Sequence, residues 1–176
     1  VRLAYRAFAD NLKKGGTLFY NMDDKNISEV LEGFKGKKKS FGLDKDADVY
    51  PVDMEMNGFH TTFGCVYKTK LLGRVELNIP GRHNVVNALA AILVGLSMGL
   101  GFKRIVNSVR DFNGAKRRFQ LRACNGGVML IDDYAHHPTE IRAVLDACRN
   151  WKGKRLVVVF QPHRYSRTKF LAEDFG

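Results

Sequence analysis

Cysteine is scarce in this sequence, and its pattern excludes two kinds of site. The 176 residues contain three cysteines, which are widely spaced: Cys65, Cys124 and Cys148. An odd number of cysteines without paired spacing fits neither a disulfide framework nor a zinc site. We therefore expect three free thiols with structural roles.

Long apolar runs are also missing. No stretch approaches the roughly 20 apolar residues of a membrane-spanning helix, and the first residues lack the continuous apolar core of a signal peptide. We therefore expect a cytoplasmic protein without a membrane partner. The content of 45% hydrophobic and 27% charged residues is typical of one ordinary globular domain or two small ones.

Acidic residues are outnumbered, with 18 Asp and Glu against 29 Lys and Arg, and the formal charge is +11. This excess favours an anionic partner such as a nucleotide, a phosphate or a nucleic acid. The densest basic run, residues 35–39, lacks the interleaved aromatic side chains on which a single-strand binder stacks bases. We interpret this run as a solvated loop or strand edge.

Apolar periodicity in the first half of the chain predicts an α/β order. An amphipathic helix begins the chain, with one apolar face made of Leu3, Ala4, Ala7, Phe8 and Leu12. A strand at residues 17–21, a short helix at 29–32 capped by Asn26 or Ser28, and a strand at 39–43 follow.

An antiparallel hairpin region is predicted next, with strand-like spacing from about residue 47 to 79 and a break at residues 71–74. A long apolar helix then runs to about Met98, and a second helix spans residues 102–111. The long helix carries a stripe of small residues that permits close packing on a neighbour: Ala88, Ala90, Ala91 and Gly95.

The basic, glycine-containing segment at residues 112–120 is the predicted domain boundary, which divides the chain into 1–114 and 115–176. Beyond it we expect a hairpin around the turn at residues 125–127 and a helix from 138 to about 150. The β-branched run at residues 155–160 predicts a strand buried on both faces.

Polar clusters follow two of these predicted strands, at residues 132–137 and 163–168. The carboxyl ends of parallel strands meet at one edge of a sheet, where ligands bind in α/β proteins. A turn with a helix cap and surface histidines is an alternative interpretation of the first cluster.

Two further pairs of residues allow both a binding and a structural interpretation. Asn84 and Asn87 lie three apart in a first helical turn, where two amides can pair with an adenine ring or simply cap the helix. Arg117 and Arg118 lie at the predicted boundary, where a guanidinium can reach a bound phosphate or remain a solvated linker residue.

Four segments together resemble the Mur ligases of peptidoglycan synthesis: residues 81–91 (GRHNVVNALAA), 117–119 (RRF), 132–141 (DDYAHHPTEI) and 160–168 (FQPHRYSRT). The resemblance implies an α/β fold. In this fold, part of a central ATPase domain is joined to part of a Rossmann-like carboxyl-terminal domain. The central domain is a mixed sheet with helices and an antiparallel hairpin region. The last two segments resemble the branch that joins L-alanine to UDP-N-acetylmuramate with ATP, through an acyl phosphate.

The resemblance also implies roles for particular residues. Asn84 and Asn87 would bind adenine with His83 beside the nucleotide, Arg118 would bind the ATP phosphates, and Asp133 would bind the ribose. The muramoyl substrate, L-alanine and the acyl phosphate would be bound by Tyr134, His136, His163, Arg164 and Arg167. Of these residues, the catalytic ones would be Arg118, His163, Arg164 and Arg167.

Three expected parts of such an enzyme are missing from these residues. The sequence has no G-x-x-x-x-G-K-[ST] loop to hold the phosphates, and the family's magnesium ligands and UDP-binding domain would precede Val1. We therefore expect a fragment that has no ligase activity alone, with ATP as its nucleotide and the Mg²⁺ ligands outside this chain.

Two other functions remain open. One is a related ligase that attaches a preformed peptide to UDP-N-acetylmuramate in cell-wall recycling. The other is a noncatalytic basic module that binds nucleic acid, which predicts steeply salt-dependent binding. The order of the four segments favours the L-alanine ligase, without a nucleic-acid partner.

Overall fold

The structure, a computed structural model, describes residues 2–149, 151 and 155–175, and it contains one five-stranded and one two-stranded sheet. The first part comprises α1 (Arg2–Asp10), β1 (Thr17–Asn21), α2 (Lys25–Val30), β2 (Lys37–Phe41), β3 (Val49–Asn57), β4 (His60–Tyr67), β5 (Lys70–Leu77), α3 (Arg82–Ser97) and α4 (Phe102–Arg110). The second comprises β6 (Gln120–Asn125), β7 (Val128–Asp132), α5 (Pro138–Cys148), α6 (Tyr165–Phe170) and α7 (Ala172–Phe175).

The five-stranded sheet is mixed and has the order β1-β2-β3-β4-β5. β1 and β2 pair in parallel along their whole length, whereas β2 meets β3 in parallel only at Phe41 and Val49. The connection between β2 and β3, residues 42–48, is too short to return the chain for a longer parallel pairing. β3, β4 and β5 are antiparallel, which confirms the predicted hairpin region and the α/β fold class.

Helix α3 covers this sheet and forms the centre of the core. Leu89, Ile92 and Leu93 are fully buried on it, and they pack with buried strand residues such as Phe63 and Val75. Burial of each such side chain contributes about 1.5–3 kcal/mol. The predicted close approach occurs at Gly95, where an added Cβ would lie 2.9 Å from Ile105 of α4.

The second part of the chain begins with the predicted hairpin. β6 and β7 are antiparallel, and the turn between them uses Gly126 and Gly127, which both have positive φ. Helix α5 begins at Pro138, the first helical position, where the missing N–H has no intrahelical partner to lose. The strand, loop and helix order around residues 128–148 is therefore confirmed.

Two predicted element boundaries are wrong. Helix α2 begins earlier than predicted, because the side chain of Asp24, rather than Asn26 or Ser28, caps it by accepting from the Asn26 backbone N–H. The predicted break at residues 71–74 lies inside β5. Gly73 has φ +148° and lets the ring of Phe102 approach the strand, so this glycine marks an irregularity and a close contact rather than a turn.

The predicted buried strand at residues 155–160 is also wrong. These residues form no strand, and Val157 and Val159 are 68% and 96% exposed. A strand buried on both faces needs a paired neighbour and two covering layers, and β7 pairs only with β6 in the described part of the chain. The predicted apolar face of α1 is similarly uncovered, since Leu3 and Phe8 are 86% and 72% exposed.

Helices of the described residues are all too short or too polar to span a membrane.

Replacement of Leu89 by alanine tests the assignment of α3 as the centre of the core. We expect Leu89→Ala to lower the free energy of unfolding by about 2–5 kcal/mol, because it leaves a cavity under a fully buried helix. Leu71→Ala, at a position 59% exposed on β5, is the matched control and should stay within about 0.5 kcal/mol of the wild type. If urea unfolding showed that Leu89→Ala and Leu71→Ala lose the same free energy of unfolding, this assignment would be contradicted.

Candidate functional site

A cleft of about 480 Å³ lies where the first turns of α3, the segment before β6, and α5 meet. It is lined by Ile79, His83, Asn84, Asn87, Phe112, Gly114, Ala115, Arg118, Asp133, Thr139, Glu140, Ala143 and Val144. The five residues predicted to bind a nucleotide, His83, Asn84, Asn87, Arg118 and Asp133, therefore all lie in one cleft. They come from three separate segments of the chain.

The two asparagines do not cap α3. The N-cap of that helix is Gly81, which has no side chain to bond, and Asn84 and Asn87 lie inside the first turns. The Asn84 side-chain NH₂ donates to the Pro80 carbonyl at 2.7 Å, and its Oδ1 accepts from Asn87 at 3.4 Å. Asn87 is exposed, so the pair presents an amide edge to the cleft.

His83 lies beside Gly81 at the junction of the two parts of the chain. A Cβ on Gly81, which has φ +99°, would lie 2.6 Å from the His83 ring and 3.3 Å from Ala147 of α5, so glycine alone permits this approach. Burial lowers the pKa of His83; the Asp133 carboxylate opposes this change and the Arg118 guanidinium adds to it. The imidazole is therefore neutral at pH 7.

Arg118 faces Glu140 across the cleft, with 3.8 Å between Nη1 and Oε1. Burial alone would raise the pKa of Glu140, but the His136 backbone N–H and the charges of His136 and Arg118 lower it below its usual value. Glu140 was absent from the residues predicted from the sequence. Its position three residues after His137, the N-cap of α5, was the available signal, because glutamate at that position often reaches back to the start of a helix.

Asp133 has a structural role in addition to lining the cleft. Its Oδ1 accepts from the Ala135 backbone N–H at 2.6 Å, and its Oδ2 accepts from the Phe119 N–H at 2.7 Å. His137 caps α5 by accepting from the Thr139 N–H. The turn and the helix cap that formed the alternative interpretation of this segment are therefore both present, and Asp133 keeps further lone pairs for a ligand hydroxyl.

Three aromatic side chains form a second group near the cleft. The ring centroid of His136 lies 4.9 Å from that of Tyr134 and 5.7 Å from that of His163. His136 Nδ1 lies 2.8 Å from the Tyr134 carbonyl, which can only accept, so Nδ1 donates a hydrogen bond to it. The guanidinium of Arg117 lies 4.9 Å from the centre of the Tyr134 ring, so Arg117 belongs to this group and does not line the cleft.

The last two predicted residues lie apart from the cleft. Arg164 is the N-cap of α6 and is exposed. Arg167 lies within α6, and its buried Nη1 has no hydrogen-bond partner among the described residues. The structure thus gathers five of the predicted residues in the cleft and three in the aromatic group, and it leaves these two arginines on α6.

The described residues were compared with the side-chain groups that hold a metal ion. Among the described residues, no group of three or more His, Cys, Asp or Glu side chains fits a metal ion. A Mg²⁺ ion prefers several oxygen ligands in octahedral geometry. The expectation that its ligands lie outside these residues stays a prediction.

Family models match both parts of the chain. Residues 2–95 match the Mur ligase middle domain, and residues 117–176 match the Mur ligase glutamate ligase domain. The chain belongs to the Mur ligase family. The predicted boundary at residue 114 falls between the two matched segments and stays a prediction.

Several relatives of this Mur ligase chain carry the same name. The UDP-N-acetylmuramate–L-alanine ligases of Trichlorobacter lovleyi and of Geobacter sp. strain M21 are 41% and 46% identical to it over 99% of its length. The crystal structure of the UDP-N-acetylmuramate–alanine ligase of Thermotoga maritima matches 97% of the chain with a TM-score of 0.77 and 27% identity. The chain spans only 39%, 38% and 38% of the length of these three relatives.

The pKa of His83 predicts how stability depends on pH. Because burial lowers the folded-state pKa of His83 below the ordinary histidine value of about 6.5, the unfolded chain binds more protons between the two values, and stability falls as pH drops below about 6.5. The His83→Gln variant should lose less free energy of unfolding at low pH, because it lacks the imidazole that takes up a proton on unfolding. Urea unfolding of the wild type and the variant at about pH 7.5 and about pH 5.5 measures it. His60→Gln, an exposed position on β4, is the control, and an undiminished loss in His83→Gln would contradict the expectation.

Proposed function

We propose that this chain supplies the nucleotide cleft and part of the substrate site of an ATP-dependent ligase that joins L-alanine to UDP-N-acetylmuramate. The observation that carries the proposal is the presence of His83, Asn84, Asn87, Arg118 and Asp133 in one cleft between the two parts of the chain. The names of the relatives at 41% and 46% identity support the same substrates.

Within the cleft, each side chain suits one part of ATP. The paired amides of Asn84 and Asn87 offer a donor and an acceptor to the edge of adenine, and Ile79 and Phe112 supply apolar surface for the ring. The lone pairs of Asp133 accept from ribose hydroxyls. The guanidinium of Arg118 keeps several N–H groups for phosphate oxygens beside its single contact with Glu140.

The neutral state of His83 changes how its imidazole interacts with Arg118. A neutral imidazole next to Arg118 adds no second positive charge that would repel the guanidinium. One ring nitrogen can donate to the nucleotide while the other accepts. Nucleotide affinity should therefore depend more on the charge of Arg118 than on that of His83.

The aromatic group would bind the muramoyl carboxylate and the amine. His163, His136 and Tyr134 lie together beside the cleft, and the unpaired Nη1 of Arg167 is a donor without a protein partner among the described residues. In the reaction, a carboxylate oxygen attacks the γ-phosphorus of ATP, which gives an acyl phosphate and releases ADP. The amine of L-alanine then attacks the acyl carbon, and inorganic phosphate and a proton leave as the amide forms. Cationic and hydrogen-bonding side chains stabilise these anionic species and orient them.

The peptide-adding ligase of cell-wall recycling would use the same cleft, because both reactions activate the same muramoyl carboxylate. The amine acceptor alone separates the two reactions. Binding of nucleic acid is not favoured, because the dense basic run on β2 lies away from the cleft. ATP, the two substrates and a cytoplasmic location remain proposals for the complete enzyme.

Phosphate release tests the reaction. In an enzyme of the relatives' full length that contains these residues, we expect release to require ATP, Mg²⁺, UDP-N-acetylmuramate and L-alanine together. The 176-residue chain alone should release none, because it lacks a loop that holds the phosphates. Release that a tripeptide supports and L-alanine does not would favour the recycling ligase instead.

Arg118→Ala tests the phosphate role. In the complete enzyme it should lose on the order of 2 kcal/mol of transition-state stabilisation, about thirtyfold in kcat/KM for ATP, because a charge-assisted contact to phosphate is removed. Arg104→Ala is the matched control, since Arg104 is an exposed arginine of α4 that does not line the cleft. An unchanged kcat/KM for ATP in Arg118→Ala would refute the role.

A further inference from the structure

Three aromatic rings join the two parts of the chain at a point outside the cleft. Phe59 comes from the turn between β3 and β4, Phe119 from the segment before β6, and Trp151 from just after α5. The centroid of Phe59 lies 5.2 Å from that of Trp151 and 6.0 Å from that of Phe119, in edge-on geometry. Phe119 and Trp151 are stacked at 5.6 Å. These are favourable arrangements for aromatic pairs.

Phe59 occupies an unusual position for a phenylalanine. It lies in a two-residue turn closed by the pair Asn57 and His60, where polar residues or glycine are usual. Its partner in the turn, Gly58, has a positive φ, and an added Cβ there would lie 3.7 Å from the indole nitrogen of Trp151. The turn therefore projects an apolar ring onto the second part of the chain instead of into water.

Phe119 connects these rings to the cleft. It is only 5% exposed, and its backbone has φ +47°, a left-handed conformation that side chains other than glycine rarely adopt. Its N–H donates to Asp133 Oδ2 at 2.7 Å, and the residue before it is Arg118. Both ends of this short segment are held, since the Arg117 carbonyl also accepts from the Tyr134 N–H at 2.7 Å.

We propose that Phe59 is a positioning residue for the nucleotide cleft. By packing on Phe119 and Trp151, it holds the segment at residues 117–119 in the conformation that places Arg118 and Asp133 in the cleft. None of the three rings lines the cleft, so the effect on a ligand acts through the backbone of Phe119. This inference rests on the proposed function, because it takes the ligand of the cleft to be a nucleotide.

The test uses the 176-residue chain, in which Trp151 is the only tryptophan and reports the packing of the cluster. The emission wavelength of Trp151 and its quenching by acrylamide are measured in this chain, and the Kd for ATP is measured in an enzyme of the relatives' full length that contains these residues. Both are measured for the wild type, Phe59→Ala, Phe59→Leu and Phe59→Tyr. Leu71→Ala, an exposed apolar position of the same sheet, is the matched control. Titrations are made at a temperature at which circular dichroism shows every variant to be folded.

We expect Phe59→Ala to shift the Trp151 emission to longer wavelength and to weaken ATP binding about tenfold, because the cleft residues lose their fixed placement. Phe59→Tyr keeps a ring and should restore both readouts, whereas Leu71→Ala should change neither. Phe59→Leu fills part of the space and should fall between the wild type and Phe59→Ala. It serves as the decisive variant if the alanine chain does not fold.

A shifted emission with an unchanged Kd in Phe59→Ala or Phe59→Leu would overturn the inference, because the cluster would then pack without positioning the cleft. An unchanged emission would also overturn it, because the ring contact would be absent in solution. Failure of the proposed function shows up separately, as a wild-type enzyme of the relatives' full length that does not bind ATP saturably, and it would remove the positioning role as well.

Discussion

The hydrogen bond from the Phe119 N–H to the Asp133 carboxylate is the contact on which the candidate site depends. It extends the hairpin of β6 and β7 by one step beyond the pair Gln120 and Asp132. It also ties the segment at residues 117–119 to the loop that precedes α5. The backbones of Arg117 and Phe119 both have a left-handed conformation. This conformation costs about 1–3 kcal/mol at each residue. Such a backbone persists only where its surroundings hold it, and the aromatic rings and this hydrogen bond do so.

The charge of the cleft differs from that of the chain as a whole. The formal charge is +11, yet the cleft holds one guanidinium, two carboxylates and a neutral imidazole. Asp133 directs its carboxylate to backbone N–H groups, and Glu140 faces Arg118. The general basic excess therefore does not mark this site. The site is marked instead by the placement of a few side chains from separate segments. A ligand would therefore bind in a cleft whose side chains are already held in position.

Sequence reasoning succeeded where local chemistry decides the structure. The long apolar helix α3, the Gly126–Gly127 turn and the start of α5 at Pro138 all follow from short-range patterns. It failed at residues 155–160, because a β-branched run states a preference for strand, whereas pairing needs a neighbour from elsewhere in the chain. It also took Gly73 for a turn, although the reason for that glycine is the ring of Phe102 on a distant helix. The family resemblance named the five predicted residues that line the cleft, and Glu140 carried a sequence signal in its position at the start of α5, whereas Phe59 became visible only through its three-dimensional contacts.

The most direct test is a crystal structure of an enzyme of the relatives' full length that contains these residues, with a non-hydrolysable ATP analogue bound. The account predicts adenine against Asn84 and Asn87, ribose beside Asp133 and phosphates on Arg118, with Phe59 still packed on Trp151. An analogue bound elsewhere, for example along the lysines of β2 with the cleft empty, would contradict it.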